Sequence, residues 1–172
     1  MTAARAALAM GLALSILIET TAGAGTGEQT AHGLIDRTPK GCVIETRPLS
    51  FGAYDPLAST AVAGLGSVIY TCGVQLHGDK GVKNIRINMS RGISNSYDRS
   101  MSSGLDRLRY NVYLDASHRT IWGDGSNGTD YYFDPHPPNK TPVMVPAYGT
   151  IFAQQDVQAG TYTDVLQVTI LF

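Results

Sequence analysis

Two cysteines, Cys42 and Cys72, are the most reactive side chains in this sequence, and thiolates can bridge, bind metal or attack. No CxxC or CxxH spacing surrounds them, so they make a poor zinc cage, which wants four nitrogen or sulfur ligands. Four histidines, His32, His77, His118 and His136, are scattered, with none at i,i+4 or beside a second ligand type. The run Gly123-Asp124-Gly125-Ser126-Asn127-Gly128 spells GxGxxG, but a dinucleotide fingerprint needs a strand before it and a helix after it. The following residues, TDYYFDP (129–135), do not open a helix, and the run reads as a glycine-rich turn. Asp124 to Asp130 spaces oxygens somewhat like a calcium loop, without the terminal bidentate glutamate. No GxSxG elbow or SxxK pair occurs. Beyond the first two dozen residues Glu28 and Glu45 are the only glutamates, and neither is placed as half of a catalytic carboxylate pair. The sequence therefore yields no catalytic, cofactor-binding or metal residues, and the expected protein is not an enzyme. Trp122 with Tyr131 and Tyr132 could stack on a sugar; such residues more often sit half-buried in a sandwich with one polar tip in reach of a partner.

The first 24 residues read as a secretory leader. Arg5 begins it, Ala6 to Ile18 is mostly apolar, and Ala22-Gly23-Ala24 offers an A-x-A cleavage site. The apolar stretch falls short of the roughly 20 residues that a membrane span needs, so no transmembrane segment is expected after cleavage. Cutting after Ala24 removes 24 of 172 residues and leaves 148, the size of one domain. Arg5 and Glu19 leave together, so the formal charge stays at −1, which excludes nucleic acid as a partner. In an exported chain two cysteines form a disulfide. Asn88, Asn127 and Asn139 each begin an N-x-S/T triplet, a pattern that also arises by chance.

Those residues must be positioned by strands. Nineteen glycines, eight prolines and no long amphipathic helix point to short strands and many turns. Alternating segments run over Cys42–Phe51, Gly66–Cys72, Asn84–Ser90, Leu108–Leu114, Arg119–Trp122, Val143–Phe152 and Tyr162–Phe172. About seven short strands separated by turns predict an antiparallel sandwich of immunoglobulin-like type. Trp122 follows both cysteines, so the Cys…Trp…Cys order of antibody domains is absent. Residues 25–41 are polar and lack periodicity; they read as an extension. In DVLQVTILF (164–172), Leu166, Val168, Ile170 and Phe172 alternate with Gln167, Thr169 and Leu171. A sandwich that finishes on such a strand leaves one flank needing a neighbour, because apolar edges pair with other chains.

Cys42, FGAYDP (51–56), Cys72, YNVY (110–113), WGDG (122–125), Tyr148-Gly149 and GTYTD (160–164) together resemble the spore coat protein U family, which includes subunits of archaic chaperone–usher pili. The resemblance spans Cys42 to Phe172. It implies an all-β, incomplete immunoglobulin-like antiparallel β-sandwich that lacks its last strand and carries one disulfide. Its units would be a signal peptide (1–24), an N-terminal extension as candidate donor strand (25–41) and the sandwich (42–172). A periplasmic chaperone would fill the gap first, and the extension of a neighbouring pilus subunit would replace it at an outer-membrane usher. Leu166, Val168, Ile170 and Phe172 would line the acceptor groove, with the Cys42 strand as its opposite wall. Ala31, Gly33 and Ile35 would be the donor residues; this is a thin apolar pattern, which suggests a minor or adaptor subunit serving adhesion or biofilm formation. The expected location is the surface of a Gram-negative bacterium, reached through the periplasm. Two rivals stay open: a self-assembling spore or cell-surface coat protein, and a carbohydrate-binding β-sandwich module.

Overall fold

The computed structural model describes residues 12–22, 41–74 and 82–172. Nine strands follow one another: β1 Leu12–Ala22, β2 Gly41–Tyr54, β3 Val62–Val74, β4 Ile85–Met89, β5 Arg99–Ser103, β6 Asp106–Tyr113, β7 Tyr132–Asp134, β8 Val143–Ile151 and β9 Gly160–Leu171. No helix occurs among the described residues. Backbone pairing runs in the order β2-β3-β8-β6-β5-β9-β4-β7, and β1 bridges β2 to β9. Every one of these pairings is antiparallel except that of β1 with β2. The expected all-β, immunoglobulin-like antiparallel sandwich is thus observed.

Alternation explains the interior. Ile85, Ile87 and Met89 of β4 are buried, as are Val145, Ala147 and Ile151 of β8 and Leu166, Val168 and Ile170 of β9. Period-two patterns place such residues on one face of a pleated strand. Gly64 and Gly149 face each other across β3 and β8. A Cβ at either would lie 2.6–2.7 Å from the Phe51 ring, so the two glycines form the slot that lets this ring reach the core.

The Cys42–Cys72 bond joins register partners of β2 and β3 and closes a loop of sequence separation 30. The chain-entropy account assigns such a loop about 3–4 kcal/mol of stabilisation. Reduction is expected to lower the urea midpoint accordingly, measured with and without a thiol reductant. An unmoved midpoint would show that β2 and β3 hold each other without the bridge.

Buried polar groups tie the strands together. Arg99 of β5 is fully buried and donates from Nε (2.9 Å) and Nη2 (2.7 Å) to the Ser90 carbonyl. Its Nη2 also reaches the Trp122 carbonyl at 2.6 Å, and its Nη1 reaches Asn111 Oδ1 at 2.8 Å. One guanidinium therefore joins β5, β6, the end of β4 and the Trp122 segment. Burial lowers the Arg99 pKa, opposed by the nearby Tyr110, Tyr97 and Asp164.

Three features differ from the sequence expectation. Arg119–Trp122 is not a strand: Ile121 and Trp122 make only isolated bridges, to Tyr113 and Asp130. The preceding turn is drawn tight because the Asp115 carboxylate accepts from the Arg119 and Thr120 amides and the Ser117 hydroxyl. Strands β5 and β7 have no counterpart in the alternation. Residues 12–22, expected to stand outside the fold, form β1, because an extended apolar segment satisfies the open backbone edges of β2 and β9 at once.

Candidate assembly site: the strand position between β2 and β9

β9 is long enough to serve several partners. Its first half meets β5 at Ser102↔Thr163, and its second half meets β4 from Met89↔Val168 to Arg86↔Leu171. Its other edge pairs with β1 along the whole of that strand, from Leu12↔Ile170 to Ala22↔Gly160. On its far side β1 runs parallel to β2, from Ile18↔Leu49 to Ala22↔Tyr54, with a register shift between Glu19 and Thr21. The position therefore holds one strand of 11 residues with main-chain partners on both sides.

The floor of this position is built by alternate β9 residues. Tyr162, Asp164, Leu166, Val168 and Ile170 are buried and are the register partners of Thr20, Ile18, Ile16, Leu14 and Leu12. On the β2 side Leu49, Phe51 and Tyr54 are buried. Residues 12–18, LALSILI, are apolar except at Ser15, a run that suits an extended strand laid on an apolar floor.

One polar group interrupts this apolar row. The Asp164 carboxylate accepts from the Tyr110 hydroxyl (2.7 Å) and from the backbone N–H groups of Ile93 (2.9 Å) and Val165 (2.7 Å). Burial, reinforced by this carboxylate, pushes the Tyr110 phenol well above its usual pKa. A Cβ at Gly92 would sit 2.0 Å from Asp164 Oδ2, so only glycine allows the Arg91–Ile93 turn to close on the carboxylate. Asp164 is the register partner of Ile18, between Tyr162 and Leu166 in the row. Sequence reasoning missed this role; the signal available was a lone aspartate in an otherwise apolar inward series.

The residues singled out from sequence fall as follows. Leu166, Val168 and Ile170 come together on the inner face of β9. Phe172 does not join them: it lies past the last ladder residue and is 40% exposed. Cys42 and Cys72 are bonded at the start of β2. Ala31, Gly33 and Ile35, expected as donor residues, lie outside the described residues, as do Glu28, His32 and His77. His118 Nδ1 lies 2.8 Å from the Thr150 hydroxyl, and its ring stacks on Tyr113. His136 and Glu45 are exposed.

The sugar platform on Trp122 is overturned. Its indole is fully buried and donates from Nε1 to the Ile87 carbonyl at 2.9 Å, so no face is available to a ligand. Tyr131 lies instead under the Arg86 guanidinium, and Tyr132 against Tyr70. In the Gly123–Gly128 turn the Asp124 carboxylate accepts from the Ser126 amide at 2.9 Å, which spends it on the turn itself.

Fold and site define a class: an immunoglobulin-like β-sandwich with one cross-strand disulfide and a strand position between its first and last body strands. The chain belongs to the Spore Coat Protein U domain family, whose profile matches residues 29–169. It is similar to Protein U of Myxococcus xanthus, with 28% identity over 138 residues, covering 72% of this chain and 71% of that protein. Its fold is similar to a chain in the CsuC-CsuE chaperone-tip adhesion subunit pre-assembly complex from archaic chaperone-usher Csu pili of Acinetobacter baumannii. That likeness has a TM-score of 0.52 and 19% identity, covering 81% of this chain. This chain spans 40% of that chain's length. The AfaE-3 adhesin from Escherichia coli also aligns, with a TM-score of 0.47 and 10% identity, over 96% of this chain and 99% of that one.

Proposed function

We propose that this chain is a non-enzymatic structural subunit of a chaperone–usher pilus, exported through the periplasm to the cell surface and assembled by donor-strand exchange. The observation that carries the reading is the strand position between β2 and β9, which accepts an apolar strand on two edges at once. Residues 1–24 are the signal peptide, and their removal after Ala24 vacates that position. A periplasmic chaperone and then the extension of a neighbouring subunit, delivered at an outer-membrane usher, occupy it in turn. Main-chain bonds supply affinity in such strand addition, and alternate side chains supply register. Family membership and the fold shared with a chain in a chaperone–subunit complex support this reading. The thin alternation at Ala31, Gly33 and Ile35 favours a minor or adaptor place, with adhesion or biofilm formation as the service.

The test is co-expression with a chaperone, followed by N-terminal sequencing of the mature protein. The expected product starts near Gly25 and co-purifies with the chaperone. Ile170→Asp puts a charge among buried side chains and should abolish capture without affecting export. A mature chain that keeps Leu12–Ala22 and stays monomeric would sink the proposal. The rival reading, a self-assembling spore or cell-surface coat protein, draws on the family's name and uses the same edges. Chaperone and usher genes beside this one favour the pilus; their absence favours the coat.

A further inference from the structure

We propose that the end of the sandwich where β1 leaves its cleft is a docking surface for the Gly41 end of the next subunit of this fold. The proposal rests on the strand-donation reading above and adds a second contact to it. β1 enters beside Ile170 and leaves beside Tyr54 and Gly160. The body of the chain begins at Gly41, the first residue of β2. An extension lying in the β1 position therefore delivers its own body to the end marked by Tyr54 and Gly160.

That end carries two hairpin tips. The turn after β2, closed by the Ala58 amide on the Asp55 carbonyl (3.1 Å), holds Leu57 at 88% exposure. The turn between β5 and β6 holds Leu105 at 97% exposure. The second tip is fixed at the same end by Ser102↔Thr163 and by the Tyr162 hydroxyl, which donates to the Asp106 carboxylate at 3.1 Å. A single exposed leucine is ordinary on a protein surface. Two nearly bare leucines lie at the end where a donor strand must leave, apolar surface that the isolated chain leaves to solvent.

Charge points to the same partner. Asp55 and Asp156 are exposed at the Tyr54 end, since the Asp156 segment is anchored by the Gln155 amide donating to the Tyr54 hydroxyl at 2.8 Å. The opposite end carries exposed Lys83, just before β4, and Lys140, whose amide donates to the Cys72 carbonyl at 2.8 Å. A following subunit thus presents lysines to aspartates, an arrangement that sets orientation and encounter rate.

The experiment immobilises the mature chain with its cleft held by a peptide of residues 12–22, and compares two donors that displace that peptide: a synthetic peptide of residues 25–41, and a whole mature subunit whose own cleft has been filled with the 25–41 peptide. The whole subunit is expected to dissociate about tenfold more slowly than the peptide, since the added contact acts on the off-rate. Leu57→Asp with Leu105→Asp in the recipient should erase this difference while leaving peptide binding unchanged, which also serves as the folding control. Asp156→Lys, which leaves the Asp55 carboxylate on the Leu57 amide, should weaken the contact, and Lys83→Glu with Lys140→Glu in the donor should restore it. Equal dissociation of the two donors from the wild-type recipient, or a leucine double variant that keeps the slowing, overturns the docking surface. Failure of the peptide to bind at all sinks the strand-donation reading, and the docking surface with it.

Discussion

A chain shortened to begin at Gly25 is expected to lose the ability to fold alone and to regain it when an apolar strand is supplied. β1 is the partner of β9 from Leu12↔Ile170 to Ala22↔Gly160, and it is the bridge from β9 to β2. Without it, the buried faces of Leu166, Val168 and Ile170 open on one flank, and two rows of backbone groups lose their partners. Fully exposing a side chain of this size forfeits about 1.5–3 kcal/mol. Even a fraction of that at several positions rivals the roughly 5–15 kcal/mol by which a domain is stable. Urea unfolding and light scattering of the shortened chain should show a weak or absent transition and aggregation. A peptide of residues 12–22 added in excess should restore a cooperative transition, with a midpoint that rises with peptide concentration, as binding to the folded state requires. A shortened chain that unfolds at the full-length midpoint would remove the physical basis for strand exchange.

Arg99→Ala is expected to be the most damaging single substitution outside the cleft. It removes the donors that serve the Trp122 carbonyl and Asn111 Oδ1 in the interior and the half-buried Ser90 carbonyl. A buried acceptor left unsatisfied costs about 1–3 kcal/mol, and Asn111 Oδ1 keeps the Val112 amide at 3.0 Å, so the two carbonyls give a loss of about 2 kcal/mol or more. Arg99→Lys should recover little, because one ammonium cannot reproduce a planar fork that faces several acceptors. The check is a urea series in which the midpoint falls while its slope stays constant. A lysine variant as stable as the wild type would show that charge, rather than fork geometry, holds β5 in place.

These two predictions also mark what could and could not be read from the amino-acid order. Strands β2, β3, β4, β6, β8 and β9 announce themselves, because apolar residues at every second position have few other uses in so glycine-rich a chain. β5 is silent: in RSMSS only Met101 is apolar, and the inward neighbour two positions away is Arg99. Burial of an arginine depends on carbonyls supplied from distant segments, which no local window contains. β7 is three residues long and is cut short before Pro135. β1 was visible as an apolar segment, but the same composition suits a leader in a translocation channel and a strand against an open edge, so its place in the fold was hidden. Of the cleft, the Leu166, Val168 and Ile170 row was legible; the Asp164 carboxylate, held by Tyr110 and the Ile93 amide, was not.

The position of the disulfide has a mechanical consequence for a subunit tethered through its extension. Tension along that tether arrives at Gly41, and the next residue, Cys42, is bonded to Cys72. The load is handed covalently to β3 before it can unzip the first strand from its neighbour. A donated segment in the β1 position lies along the pull, so its rungs are sheared together rather than torn one after another. Shear flow would then stretch such a filament long before it stripped a subunit open.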